Sequence, residues 1–157
     1  MNQRVTDKRF LRDLYQSMGG MSTRLQGASV EPNLLHLIEM RVSQINGCAF
    51  CLVMHADQLR EGGERAERID VLNAWREATW FSERERAALA FAESATLLGP
   101  EGVPDEVFLP LREQFNDAEL ADIMITVVAI IGWNRLNIAL RTAPAPIEEV
   151  MANLAAD

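Results

Sequence analysis

Two cysteines and a histidine fall within one short stretch, Ile45-Asn46-Gly47-Cys48-Ala49-Phe50-Cys51-Leu52-Val53-Met54-His55, and set a Cys-x-x-Cys-x-x-x-His pattern. On a regular α-helix Cys48 and His55 lie about 20° apart in azimuth and Cys48 and Cys51 about 60° apart, so all three share a face. Cys51 and His55, four residues apart, are then close enough to touch. A thiolate is the reactive form of cysteine, and a helix N-terminus or a neighbouring base favours it. His55 is placed to take the proton of Cys51. A thiolate that attacks a peroxide becomes a sulfenic acid, which a second thiol condenses into a disulfide, here Cys48 with Cys51. Exchange with a reductant restores the pair.

Other chemistry fits the spacing less well. A structural zinc site takes four protein ligands, and three lie together here. A c-type haem needs histidine directly after the second cysteine, where Leu52 stands. A thioredoxin-type motif belongs beside alternating strands and helices. No metal or cofactor is therefore expected. Two inert buried cysteines and a surface histidine would give the same spacing.

The elements that must position these residues all read as helices. Residues 5–18 carry Phe10, Leu11, Leu14, Tyr15 and Met18 at helical spacing and stop at Gly19-Gly20. Pro32 opens a second helix whose apolar face is Leu34, Leu35, Ile38, Val42 and Ile45. Asn46-Gly47 breaks it, and a third helix runs from about residue 48 to the Gly62-Gly63 stop. Residues 64–77 form another helix with Ile69, Leu72 and Trp75. Ser82-Glu83-Arg84-Glu85 reads as a capping box one turn into a helix reaching about residue 98, with a solvated start. A shorter helix spans residues 104–115. Asp117 then caps a long apolar helix to about residue 141, and Pro144 and Pro146 precede a short tail helix. No segment alternates with period two, so the fold class is all-α.

The chain has 157 residues, 48% hydrophobic and 24% charged, the make-up of one globular domain with a real core. A net charge of −8 favours solubility and argues against a nucleic-acid partner, whose phosphates need a basic face. The first residues lack the apolar run of a secretory signal, so a cytoplasmic location is expected. With two cysteines a multi-bridge scaffold is excluded. The apolar run at residues 123–133 is too short to span a bilayer, and Asp122, Asn134 and Arg135 border it, so no membrane association is expected. Trp75, Trp80 and Trp133 are read as packing residues, and Asn134 and Arg135 as a buried, paired structural set.

Residues 34–63, LLHLIEMRVSQINGCAFCLVMHADQLREGG, resemble the core of the AhpD-like alkylhydroperoxidases of the carboxymuconolactone decarboxylase superfamily. The segments Trp75-Arg76-Glu77, Phe81 to Leu89 and Trp133-Asn134-Arg135 fit the same group, extending the resemblance over about residues 30 to 142. The resemblance implies one AhpD-like helical domain over residues 1–157, assembled as a homo-oligomeric helical bundle, a trimer or hexamer. It implies a thiol peroxidase with a hydroperoxide as substrate and a dithiol or protein as reductant. Cys51 then resembles the peroxidatic cysteine, Cys48 the resolving cysteine and His55 the relay histidine. The relay glutamate of the family sits twelve residues before the first cysteine, where this sequence has His36. Glu39, one turn later, or His36 itself completes the relay. The histidine some members carry between the cysteines is replaced by Ala49-Phe50. Two other readings stay open: a decarboxylase acting on a small lactone acid, whose known members generally lack the paired cysteines, and a non-enzymatic redox-sensing oligomer.

Overall fold

The computed structural model describes residues 3–145. Among these it holds seven α-helices and no strand: α1 (Lys8–Leu25), α2 (Pro32–Asn46), α3 (Ala49–Glu61), α4 (Ala66–Asp70), α5 (Glu83–Thr96), α6 (Asp105–Gln114) and α7 (Asp117–Leu140). The all-α expectation is met. The tail helix expected after Pro146 lies outside the described residues.

α2 is the central element. Leu34, Leu35, Ile38 and Val42 join Phe91 of α5, Leu111 of α6 and Ile123, Val127 and Ile130 of α7 in one apolar cluster, which also takes in Cys48 and Cys51. Leu37 and Met40, on another side of the same helix, pack with Leu59, Ile69, Leu72, Trp75, Phe81 and Leu89. A helix buried on several sides presents a wide apolar surface, and the sequence of α2 is apolar accordingly.

Several boundaries differ from the sequence expectation. α1 runs through Gly19-Gly20 to Leu25 because it lies along α7, whose packing outweighs the roughly 1 kcal/mol cost of a helical glycine. Gly132 of α7 lies beneath the Met18 side chain, whose flexible end would stand 2.7 Å from a Cβ there. Residues 64–77 divide into α4 and a 3-10 turn, Leu72–Ala74, which suits the three-residue spacing of the buried Ile69, Leu72 and Trp75. Ser82 and Glu85 form their capping box at the very start of α5, not one turn in. Asn116, rather than Asp117, caps α7, with Glu119 closing a second capping box.

The start of α5 is also less solvated than expected. Arg84 pairs with Glu31 and Glu119 and lies over the Phe115 ring, 3.9 Å from its centroid. Arg68 bridges Glu64 and Glu85, and Glu93 joins Arg41, Arg76 and the Trp75 indole N–H. These contacts tie α5 to α2, α4 and the start of α7.

By length and composition α7 is the one described helix apolar enough to cross a membrane. It packs here as a core helix against α1, α2, α3 and α5, with Asp122, Thr126, Asn134 and Asn137 among its buried residues.

Candidate redox site

The site begins with a tight junction between α2 and α3. Gly47 ends α2 in the left-handed region, at φ 71°, a conformation that glycine adopts without a side-chain clash. The Ser43 carbonyl accepts the N–H groups of both Gly47 and Cys48, at 2.9 and 3.1 Å. Cys48 is then extended and serves as the N-cap of α3, its sulfur accepting the Cys51 N–H at 3.4 Å. The expectation that α3 begins at Cys48 is off by one residue: Cys48 stands outside the regular helix. The helix N-terminus consequently favours negative charge on the Cys48 sulfur.

Cys48 and Cys51 form a disulfide with Cα atoms 5.4 Å apart. Both residues are buried. The Cys51 sulfur also accepts a hydrogen bond from Asn137 Nδ2 of α7 at 3.7 Å.

One turn after Cys51, His55 heads a line of three side chains. His55 Nδ1 is 2.8 Å from Gln58 Oε1 and 3.3 Å from Glu39 Oε2, and the same Glu39 oxygen is 2.8 Å from His36 Nδ1. Both partners of His55 Nδ1 are acceptors, so Nδ1 carries the proton and Nε2 the lone pair. Burial pushes the His55 pKa below its ordinary value and outweighs the opposing pull of the Glu39 charge. His55 is therefore a neutral imidazole at pH 7, with a basic nitrogen to offer. Of the five residues singled out in the sequence, His36 and Glu39 lie on α2, Cys51 and His55 on α3, and Cys48 at the junction between them. The choice between Glu39 and His36 becomes an order in space, with Glu39 between the two histidines. His36, Glu39 and His55 offer ligand atoms within 4.8 Å of one another, the described group able to hold a cation; with three protein ligands it falls short of a closed structural zinc shell.

A cavity of about 620 Å³ opens beside this line. Leu25, Leu35, Phe50, Met54, Ile130 and Trp133 give it apolar walls, while His36, Glu39, His55, Gln58 and Asn137 form its polar part. α1 closes one side. Tyr15 stacks on Trp133 with ring centroids 5.4 Å apart, and the Trp133 indole N–H donates to Ser22 Oγ at 3.2 Å.

Two residues at the site escaped the sequence reading. Gln58 lies one turn after His55 and Asn137 nearly one turn after Asn134, so the helical spacing was the available signal. Asn134 has the structural role expected of it, donating to Ser43 Oγ and accepting from Asn46 Nδ2, both at 3.0 Å. Arg135, expected to be buried, is exposed. Of the tryptophans, Trp75 is buried and Trp80 is 53% exposed, while Trp133 lines the cavity.

A model of the carboxymuconolactone decarboxylase family matches residues 12–94. The uncharacterized protein YdfG of Bacillus subtilis is 36% identical over 140 residues, covering 89% of this chain and 95% of YdfG. Among solved structures, ATU0492 of Agrobacterium tumefaciens, a protein of unknown function whose description links it to antioxidant defence of the AhpD type, superposes with a TM-score of 0.87. It is 31% identical, covering 92% of this chain and 99% of that one. An uncharacterized peroxidase-related protein from Silicibacter sp. TM1040 has a TM-score of 0.74 at 25% identity, over 84% of this chain and 70% of its own.

Proposed function

Because this chain belongs to the carboxymuconolactone decarboxylase family and has the AhpD-like fold, we propose that it is a thiol-dependent peroxidase of the alkylhydroperoxidase type. The observation that carries the reading is the Cys48–Cys51 disulfide beside a buried, neutral His55 whose Nδ1 donates to Gln58 and lies 3.3 Å from the Glu39 carboxylate. A family match alone leaves the reaction open; a redox pair with its own base narrows it.

In the reduced protein His55 Nε2 takes the Cys51 proton, Gln58 keeps the Nδ1–H bond, and the Glu39 charge 3.3 Å from Nδ1 stabilises the resulting imidazolium. His36 holds the Glu39 carboxylate in place from its other side. The Cys51 thiolate attacks the terminal oxygen of the hydroperoxide. The S–O bond forms, the O–O bond breaks, and its electron pair leaves on the alkoxide, which takes the proton from His55. Sulfur is oxidised to the sulfenic acid and the hydroperoxide is reduced to the alcohol. Cys48 then attacks the Cys51 sulfur and water leaves, giving the disulfide. Its thiolate is favoured by the N–H of Cys51. An external dithiol returns both cysteines to thiols by two exchange steps and is itself oxidised.

The test is a pair of variants with cumene hydroperoxide and excess dithiothreitol. Cys51→Ser abolishes consumption, and Cys48→Ser, reduced and then freed of dithiothreitol, gives one rapid turnover that stops at a sulfenic acid, trapped by dimedone and weighed by mass spectrometry. Consumption by Cys51→Ser at the parent rate sinks the assignment.

A further inference from the structure

Both histidines of the chain meet at one carboxylate oxygen. His36 Nδ1 stands 2.8 Å and His55 Nδ1 3.3 Å from Glu39 Oε2. His36 and Glu39 are three residues apart on α2, which sets them on one side of that helix, and His55 comes to them from α3. A relay of one base and one acid needs no second imidazole on that oxygen. Beyond bracing the carboxylate, His36 is surplus to it.

Two imidazole nitrogens and a carboxylate oxygen make a donor set suited to a divalent transition-metal ion. One ligand atom from each residue lies within 4.8 Å of the other two. Around a tetrahedral zinc ion with bonds of about 2.0–2.1 Å, donors stand roughly 3.3–3.4 Å apart, so the shared oxygen is already near the required distance from both rings. The site is also reachable. The His36 and Glu39 side chains are 26% and 17% exposed, and with His55 and Gln58 they line the cavity. The nitrogens required are the two Nδ1 atoms, not the buried Nε2 of His55. Sulfur takes no part, so the set differs from the Cys-x-x-Cys-x-x-x-His donors weighed in the sequence.

We infer that His36, Glu39 and His55 form an open binding site for a divalent transition-metal ion of the zinc type, its fourth position left to a water from the cavity. Three protein ligands and one water is the make-up of open zinc sites. Mg²⁺ and Ca²⁺, which take oxygen ligands, are poorly matched to two imidazoles. An ion on Nδ1 leaves the proton of each neutral ring on Nε2. In the peroxidase reading that atom of His55 takes the Cys51 proton, so ion and base exclude each other. A bound ion therefore holds the relay off until it leaves. The site itself stands on its donors and their spacing and does not depend on that reading.

The test uses the whole untagged chain in its disulfide form, stripped of metal by a chelator, so that neither thiols nor turnover intervene. Zinc chloride is titrated by calorimetry. Cobalt chloride is followed by visible d–d absorbance and by the imidazole C–H proton resonances, which come from two histidines in all. One Zn²⁺ binds per chain with a Kd of about a micromolar or tighter, and Mg²⁺ in excess does not displace it. Co²⁺ gives the intense visible band of a four- or five-coordinate ion and shifts the resonances of both histidines. His36→Gln and Glu39→Gln each weaken Zn²⁺ by at least about a hundredfold, since loss of even an outer-shell partner costs about 10–100-fold. Absence of stoichiometric zinc binding, binding that leaves either histidine's resonances in place, or the parent affinity in folded His36→Gln overturns the inference. Peroxide turnover is assayed apart: zinc binding without turnover defeats the peroxidase reading and leaves the site standing, and turnover without zinc binding does the reverse.

Discussion

At the scale of single residues, the spatial order His36, Glu39, His55 assigns unequal weights. Glu39 Oε2 touches both imidazoles, whereas the His36 ring stands 6.0 Å from that of His55 and offers it no hydrogen bond. Glu39→Gln is expected to lower the peroxidase kcat/KM by about a hundredfold, since it removes the charge opposite the imidazolium. His36→Gln lowers it far less, because the carboxylate remains; stopped-flow peroxide consumption separates the two. Burial of His55 has a second consequence, for stability. A histidine whose folded pKa is depressed gives up its proton on folding, so the unfolded chain binds more protons below its ordinary value near 6.5. The His55 contribution is fully present above that pH and is lost as pH falls toward the depressed value. Thermal melts of the parent should therefore fall more steeply than those of His55→Gln between about pH 6.5 and the acid end of that window. The carboxylates, common to both proteins, cancel in the difference.

At the scale of elements, the site depends on the junction where α2 stops and α3 starts. Gly47 takes φ 71° with free space around it, so alanine there meets no neighbour and is opposed by backbone conformation alone. Gly47→Ala is expected to cost about 1–2 kcal/mol in urea unfolding. It should also slow the proposed peroxidase reaction, since the turn aims Cys48. Asn46-Gly47 was legible in the sequence as a helix break, and Cys48, Cys51 and His55 were legible as a set because helical spacing is local. That Cys48 caps α3 and does not join it was not legible, since a cap and a first turn differ by one residue of backbone geometry. The place of Glu39 against His55 was equally hidden, because it depends on how α2 crosses α3. Asn137 was lost for a related reason. Within an all-round apolar helix nothing in the periodicity marks which polar residue faces the cysteines. Gly19-Gly20 misled in the opposite direction, for packing on α7 held together a helix that local preference would end.

At the scale of the whole molecule, α1 stands apart from the core. None of its residues is fully buried, and its helix contacts run mainly to α7. Three polar or aromatic links hold its inner face: Tyr15 on Trp133, Ser22 to the Trp133 indole, and Arg24 to Asp122 at 3.0 Å. The last is asymmetric. Asp122 is fully buried and Arg24 half exposed. The carboxylate takes the Ser29 N–H on Oδ2 at 2.6 Å, while Oδ1 faces Arg24 as a charge contact with no directed hydrogen bond. Arg24→Ala leaves a buried anion with one partner, and a loss of about 1–3 kcal/mol is expected. Hydrogen exchange should then accelerate across residues 8–25 and leave α2 and α5 protected.

The burial of the disulfide bears on how electrons enter. A thiol must approach along the S–S axis to break it, and both sulfurs here lie beneath neighbouring side chains. On the peroxidase reading, oxidising substrate enters the cavity beside His55 and Asn137, whose amide touches the Cys51 sulfur, whereas a reductant must await a fluctuation that bares the sulfur. The two half-reactions are thereby placed under different clocks, the first set by diffusion into a chamber and the second by the breathing of the chain.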